Sequence, residues 1–353
     1  MKIGIVTHIL GNNYGGLLQN YALQYVLKQL GHQPMTIDFI LRQSRRSYIF
    51  SLCKQLLWSI TKLRHPRLRR SFSNIVLADF IERYILTTKK VYSYTKDIVD
   101  KEKFDLIIVG SDQVWRPKYV CELENMYLKF VPDDIKKIAY AASFGVDTWE
   151  YNAEQTETCT KYAKRLDAIS VREATGVELC RTYLGVNAQH VLDPTILAGA
   201  EAYKPLLKEK TEEEDYLFAY ILDITPEKQS YVESMAKSKG LKVIIRGADK
   251  NSTLSVEDWL SMIANSSMVV TDSFHGTVFS ILFHKEFYSI VNVARGGTRF
   301  VSLLSPLGLE HRMGDFSQFT LTEPSPIDWQ QVDKILDKYR RDSINFLTNA
   351  LKK

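Results

Sequence analysis

The sequence predicts an α/β protein built from two Rossmann-like domains that face each other across a cleft. Three observations carry that expectation. The chain has 353 residues, about twice the common domain size, so two domains are expected. Short apolar runs alternate with helical patterns along nearly its whole length, the signature of parallel βαβ units with right-handed crossovers. Polar and glycine residues gather just past the apolar runs, where such folds bind ligands at the carboxyl ends of their strands.

From the N-terminus, residues 2–7 read as a buried strand, the Gly/Asn-rich stretch 11–16 as a loop, and 17–30 as a helix stopped by Gly31. Residues 34–39 form the next strand and complete one βαβ unit. After a basic segment, 104–110 is a near-continuous apolar run, of the kind buried on both faces of a parallel sheet. Strands at 137–142, 168–171 and 190–194, with helices at 156–166 and 173–183, finish the first half. The charged stretch 208–215 reads as a linker. Beyond it, strands at 216–222, 241–245, 268–271 and 286–291 alternate with helices at 226–239, 256–265 and 277–283. An amphipathic helix at 329–351 closes the chain. The expected domains are 1–207 and 208–325, with 326–353 packing back on the first.

Hydrophobic residues make up 45% and charged residues 25%, a balance that excludes a largely disordered chain. The net charge of +5 is localised. Nine basic residues and no acid stand between Arg42 and Arg70; elsewhere 37 basic residues face 41 acidic ones. One basic segment on a mildly acidic protein does not fit a nucleic-acid binder, whose cations spread along a groove. Within 42–70, Tyr48, Phe50, Leu52, Leu56, Trp58 and Ile60 are among apolar residues at roughly helical spacing. A basic amphipathic helix of this kind suits an anionic membrane surface. The plainer reading is a solvated insertion that packs its apolar face on the domain. Cys53, Cys121, Cys159 and Cys180 are far apart and form no CxxC pair, so neither a zinc site nor a disulfide framework is expected. There is no secretory signal pattern and no run of about 18 apolar residues. The expected location is the cytoplasm, peripheral at the inner face of the cell membrane.

The sharpest chemical element is Val269-Val270-Thr271-Asp272-Ser273-Phe274-His275-Gly276-Thr277. A strand ends at Asp272 and a helix begins near Thr277, so His275 is expected on the turn, beside helix amides that favour an anion. An imidazole next to a phosphate or carboxylate can act as acid or base; the alternative is a capping or packing histidine. The loop from Thr7 to Gly16 has glycines but neither GxGxxG nor GK[ST] spacing, and a purely structural turn would look the same. Val109-Gly110-Ser111-Asp112-Gln113-Val114-Trp115 again places polar residues at a strand end. Trp115 is the expected stacking platform for a sugar, against the alternative of a helix cap followed by a core tryptophan. Arg172, Arg246, Arg295 and Arg299 stand near expected strand ends, with forks suited to carboxylate and phosphate.

Taken together these motifs resemble the polysaccharide pyruvyl transferase family. The matching pieces are the 11–16 loop with Gln19-Asn20-Tyr21-Ala22-Leu23, Asp105-Leu106-Ile107-Ile108-Val109-Gly110-Ser111-Asp112, Ser170-Val171-Arg172-Glu173, Leu192-Asp193-Pro194-Thr195 and Ser273-Phe274-His275-Gly276. The resemblance implies a fold similar to two-domain GT-B glycosyltransferases. It also implies transfer of the enolpyruvyl unit of phosphoenolpyruvate to a sugar as a cyclic ketal, with release of phosphate, in capsule or exopolysaccharide assembly. The family histidine maps to His275 and a family arginine to Arg172. Many members carry Arg-Leu-His-Gly where this chain has Ser273-Phe274-His275-Gly276; Arg299 or Arg295 would then supply the missing cation.

On this reading His275 is the acid/base, and Asp112 or Asp272 activates or orients an acceptor hydroxyl. Arg172, Arg299, Arg295, Ser273 and Gly276 bind phosphoenolpyruvate. Asn13, Tyr14, Gly15, Gln19, Ser111 and Trp115 bind the acceptor, a lipid-linked oligosaccharide ending in a hexose such as galactose. No metal or cofactor is expected. Two other readings remain open: a nucleotide-sugar glycosyltransferase on the same fold, and a non-catalytic, membrane-associated glycan assembly factor.

Overall fold

The computed structural model describes residues 1–11, 13–41, 70–209, 215–247, 254–291, 297–315 and 325–352. Nearly all of the basic segment (42–69) and Arg295 lie outside the described residues.

Two parallel sheets organise the chain. The first comprises β1 (Lys2–Val6), β2 (Gln33–Thr36), β3 (Leu106–Val109), β4 (Lys136–Ala142), β5 (Ala168–Val171) and β6 (Gln189–His190), in the order β2-β1-β3-β4-β5-β6. The second comprises β7 (Tyr216–Tyr220), β8 (Lys242–Arg246), β9 (Met268–Thr271), β10 (Glu286–Ile290) and β11 (Met313–Gly314), in the order β11-β10-β9-β7-β8. Counted within its own half, the second sheet runs 2-1-3-4-5, and the first extends that same order by one strand. In a doubly wound sheet of this order the connections reverse direction between strands one and three, which opens a crevice there. Each half therefore has its own switch point, at β1/β3 and at β7/β9.

The helices form where apolar spacing and caps allow. In α1 (Tyr14–Gln29), Asn13 accepts the Gly16 N–H at 2.6 Å, satisfying one of the unpaired amides of the first turn. The segments α2 (Arg70–Tyr84) and α3 (Lys96–Glu102) follow in the first half. Next come α4 (Ala153–Ala163), α5 (Ala174–Leu179), which runs into a π turn at Cys180–Leu184, and α6 (Pro194–Ala198). The second half contributes α7 (Pro226–Ser238), α8 (Val256–Asn265), α9 (Phe274–Leu282) and α10 (Thr298–Leu304), and α11 (Trp329–Leu351) ends the fold. Among the described residues no helix is long and apolar enough to cross a membrane.

Two boundaries differ from expectation, and both matter for the site. The run expected as a strand over 190–194 pairs only through His190; Asp193 instead caps α6, with Pro194 at its first position. A proline there lacks only an amide that the first turn would leave unpaired. Likewise α9 begins at Phe274, three residues earlier than expected, because Ser273 caps it by accepting the Gly276 N–H at 3.3 Å. His275 thus stands inside the helix's first turn rather than on a loop before it.

The halves are packed together. One apolar cluster holds Tyr14, Leu17 and Leu18 of α1 together with Phe218, Trp259 and Phe279 of the second half. Tyr14 stacks on Trp259 (5.4 Å, 16°) and its hydroxyl donates to the Leu254 carbonyl at 2.8 Å. The last helix straps both halves. Trp329 stacks on His284 of the second half at 4.8 Å, while Leu347, Ala350 and Leu351 pack with Ile3 and Ile5 of the first.

Candidate active site

Paired strands deliver the site's first side chains. β1 and β3 run in register up to Val6 and Val109, so Thr7-His8 and Gly110-Ser111-Asp112 emerge side by side at the first switch point. Gln19 of α1 ties these ends together. It donates to Thr7 Oγ1 at 3.0 Å and accepts the Ser111 N–H at 3.1 Å.

Next to this junction lies a buried ion cluster. Arg172, just past β5, has a side chain 0% exposed. It donates through Nη1 to Asp193 Oδ2 (2.7 Å) and through Nη2 to Asp112 Oδ1 (3.1 Å), with Glu173 Oε2 4.0 Å from its Nε. A guanidinium so deep is tolerable only with paired carboxylates. Asp193 is the hub. Its Oδ1 accepts from the Thr195 N–H (2.9 Å) and hydroxyl (2.6 Å), and its Oδ2 accepts from Arg172 and from Ser111 Oγ (3.2 Å).

The second half closes on this cluster with α9 and α10. His275 Nε2 lies 4.0 Å from Asp193 Oδ2 and makes no hydrogen bond, though it is buried. The other ring nitrogen faces α1: a Cβ on Gly15 would stand 2.0 Å from Nδ1. Only glycine admits the imidazole there. Gly276 is required for a similar reason, since a Cβ would meet Thr271 Oγ1 at 2.4 Å. The Phe274 ring is flanked by two guanidinium groups, Arg172 at 5.2 Å and Arg299 at 5.4 Å. Beside them a cavity of about 30 Å³ is lined by Arg172, Phe274, Arg299 and Ser302, among mostly apolar residues.

The electrostatics follow from this packing. Burial opposes the charge on Asp112, but Arg172, helped by His8, His275 and Arg299, outweighs it and holds the carboxyl well below the usual carboxylate range. Asp193 is lowered in the same way, burial being overcome by Arg172 and His275. Burial lowers His275, and Asp193 only partly restores its proton affinity, so the imidazole is neutral at pH 7. Arg299 is brought down to about 10, by burial first and then by Arg172. The two buried guanidinium groups repel one another, and Arg172 is held in place by its paired carboxylates.

A family model for polysaccharide pyruvyl transferase matches residues 13–292. The chain belongs to the polysaccharide pyruvyl transferase family. No curated protein matches it in sequence. Among solved structures, the S. aureus MnaA–UDP complex is 10% identical over 98% of this chain and 89% of that one, with a TM-score of 0.52. The UDP-GlcNAc 2-epimerase from Methanocaldococcus jannaschii is 11% identical over 99% and 100%, with a TM-score of 0.50. These likenesses concern the fold alone: two parallel α/β halves in a GT-B-like arrangement.

Within this pyruvyl transferase fold, His275, Arg172, Arg299, Asp112 and Ser111 stand in one cluster, with Gly15 and Gln19 along its edge. Other expected residues are engaged elsewhere. Trp115 is no platform: it is fully buried, stacked on Tyr127 at 4.7 Å, with its N–H given to the Met126 carbonyl at 2.9 Å. Tyr14 is spent on the contact between the halves, and Asn13 and Ser273 on helix caps. Asp272 is not in the cluster. Its buried carboxylate accepts the Leu222 N–H (2.6 Å) and the Asp223 N–H (3.3 Å), and burial raises its proton affinity. Arg246 bonds the carbonyl of its own neighbour, Ile245, at 2.9 Å.

Sequence reasoning missed His8, Asp193, Glu173 and Phe274 as site residues. For Asp193 a signal existed in Asp193-Pro194-Thr195, which reads as a cap and a first helical proline. For His8 the signal was its place two residues past a buried strand. Among the described residues no group of His, Cys, Asp and Glu stands together in a way that could hold a metal ion.

Proposed function

We propose that this family member transfers the enolpyruvyl unit of phosphoenolpyruvate to two hydroxyls of a glycan sugar, forming a cyclic ketal and releasing phosphate. The observation that carries this reading is the pair of buried guanidinium groups flanking Phe274, one helical position from His275. Phosphoenolpyruvate carries two anionic ends, a carboxylate and a phosphate; Arg299 supplies one cation, and Arg172, held by Asp193 and Asp112, meets the other end by exchanging one of those carboxylate partners.

The proton movements balance around one imidazole. A dianionic ligand beside neutral His275 raises its proton affinity and charges it. The imidazolium protonates the methylene carbon, leaving an oxocarbenium-like centre that the first hydroxyl attacks while returning its proton to His275. The same cycle then serves the second half. His275 protonates the departing phosphate as its C–O bond breaks, and takes the proton of the second hydroxyl as the ketal closes. Asp193, 4.0 Å from the ring, favours the charged imidazolium through space, and Asp112 fixes Arg172 and faces the acceptor hydroxyls.

The acceptor side rests on sequence. A lipid-linked oligosaccharide, ending in a hexose such as galactose, suits a protein with a basic apolar segment at 42–70. In the deciding experiment the protein is mixed with phosphoenolpyruvate and glycan acceptors, soluble and liposome-borne, and ketal and phosphate are measured together. One phosphate is expected per two C–O bonds formed. His275→Ala should lower the rate about 10²–10⁴-fold, and removal of 42–70 should reduce turnover on liposomes far more than on the soluble acceptor. Thermal stabilisation by a nucleoside diphosphate but not by phosphoenolpyruvate would favour a nucleotide-sugar enzyme instead.

A further inference from the structure

Trp115 is buried, yet the segment that follows it carries an aromatic ring to the surface. Tyr119 ends the 3₁₀ turn Pro117–Tyr119 and is 44% exposed. The Arg116 guanidinium sits 5.2 Å from the centre of its ring. Arg116 is itself fixed, donating through Nε and Nη2 to the two oxygens of Glu150, each at 3.0 Å, and through Nη1 to Gln113 Oε1 at 3.4 Å. The Gln113 N–H in turn donates to Asp112 Oδ1 at 2.9 Å. An unbroken chain of contacts therefore joins Asp112 in the ion cluster to an exposed ring.

Past Glu150 the ridge continues. Trp149 stacks on Tyr183 at 4.6 Å, with ring planes within 5°, and gives its N–H to Thr156 Oγ1 at 2.9 Å. Tyr183 is 43% exposed. Trp149 is half-buried, with Tyr151 4.2 Å away on the core side, so the open face of the pair belongs to Tyr183.

We propose that Tyr119, Arg116, Glu150, Trp149 and Tyr183 form the track that holds the acceptor glycan, which rests on reading the adjoining cluster as a pyruvyltransferase site. Tyr119 stacks on the sugar that is pyruvylated, and the Trp149–Tyr183 pair holds a sugar further along the chain. The chemistry fits a carbohydrate better than a protein or a lipid. Flat aromatic faces match the C–H faces of pyranose rings, and the exposed Glu150 carboxylate, held in place by the buried Arg116, offers an acceptor to hydroxyls. Two separate exposed rings, Tyr119 and Tyr183, with a charged carboxylate near them, lack the continuous apolar area that a protein partner or an acyl surface needs.

The test measures glycan binding without phosphoenolpyruvate. The full chain is applied to an array of hexose-terminated bacterial oligosaccharides of one to five sugars, and affinities for the binders are then measured by calorimetry. Longer members of a bound series should bind about tenfold tighter than the terminal sugar alone. Tyr119→Ala should lose about tenfold on short and long glycans alike, with Tyr119→Phe retaining affinity. Tyr183→Ala should remove only the advantage of length. Absence of binding to every glycan, or unchanged affinity in both alanine variants, overturns the proposal. So does loss of binding to phosphatidylglycerol vesicles in Tyr183→Ala with glycan affinity intact, which would make the ridge a membrane face. Thermal stabilisation by phosphoenolpyruvate is measured in parallel. Its absence in the wild type would count against the pyruvyltransferase reading, and the glycan arms would still decide the ridge.

Discussion

Two strand-end turns that look alike in sequence end in opposite chemical states. After β3 comes Ser111-Asp112, and after β9 comes Asp272-Ser273, each an aspartate beside a serine at a switch point. Asp112 meets the Arg172 guanidinium and is held well below the usual carboxylate range. Asp272 meets two backbone amides and a lysine no nearer than 3.8 Å, and burial raises it. The difference lies in what the neighbouring strand supplies. Beyond β3, the strands β4 to β6 bring Arg172 and Asp193 to the same edge, whereas the connection after β7 brings Asp272 two loop amides at hydrogen-bond distance and Lys228 only at 3.8 Å. A carboxylate at a strand end is therefore a candidate for chemistry only when a charged partner arrives from a different connection.

The largest effect that would sharpen this contrast is at Arg172. Arg172→Ala would leave Asp112 and Asp193 buried without their cation, at a cost of about 3–5 kcal/mol in unfolding free energy. It would also reduce pyruvyl transfer about 10³-fold or more. Chemical denaturation and phosphate release check the two parts, and a stable variant would show that the cluster is less buried than described. Next comes the paired test. Asp112→Asn should keep the fold and lower turnover about 10²-fold, because the amide no longer fixes Arg172. Asp272→Asn should cost about 1–3 kcal/mol of stability, its NH₂ facing an amide donor, while changing turnover less than about threefold. Comparable loss of turnover in both folded variants would break the distinction between the turns.

Much of the fold was legible, and the reasons are local. The helix Val256–Asn265, the strand Met268–Thr271 and the helix Trp329–Leu351 have the bounds expected from periodicity and capping alone. What stayed hidden depends on strand order. Ser111 and Asp193 meet over a separation of 82 residues, and nothing in either segment announces the other. Trp115 and Tyr119 are four positions apart, yet one is core and one is surface. That outcome follows from the turn after β3, which directs Trp115 against Tyr127. The apolar Val191-Leu192 looked like a continuing strand because burial under α11 calls for the same residue types as burial in a sheet; Ser343 of that helix accepts the Leu192 N–H at 3.0 Å.

The smallest expected effect concerns protons, and it turns on the neutral state of His275. In the free protein burial keeps the imidazole's proton affinity below its ordinary value. Phosphoenolpyruvate seated between Arg172 and Arg299 would put negative charge beside it and raise that affinity. A group whose pKa is higher in the bound state takes up protons on binding, and its contribution to affinity is lost as pH rises through the bound value. The ligand's phosphate, with a second pKa near about 6, would release protons if measured in mild acid, so the sign is cleanest at about pH 8. Calorimetry in buffers of different ionisation enthalpy should then report uptake of a fraction of one proton, weaker binding at higher pH, and no uptake in His275→Gln. Release of protons at that pH, or uptake that persists in His275→Gln, would mean that the group answering the anion is another, with His8 beside Asp112 the next to replace.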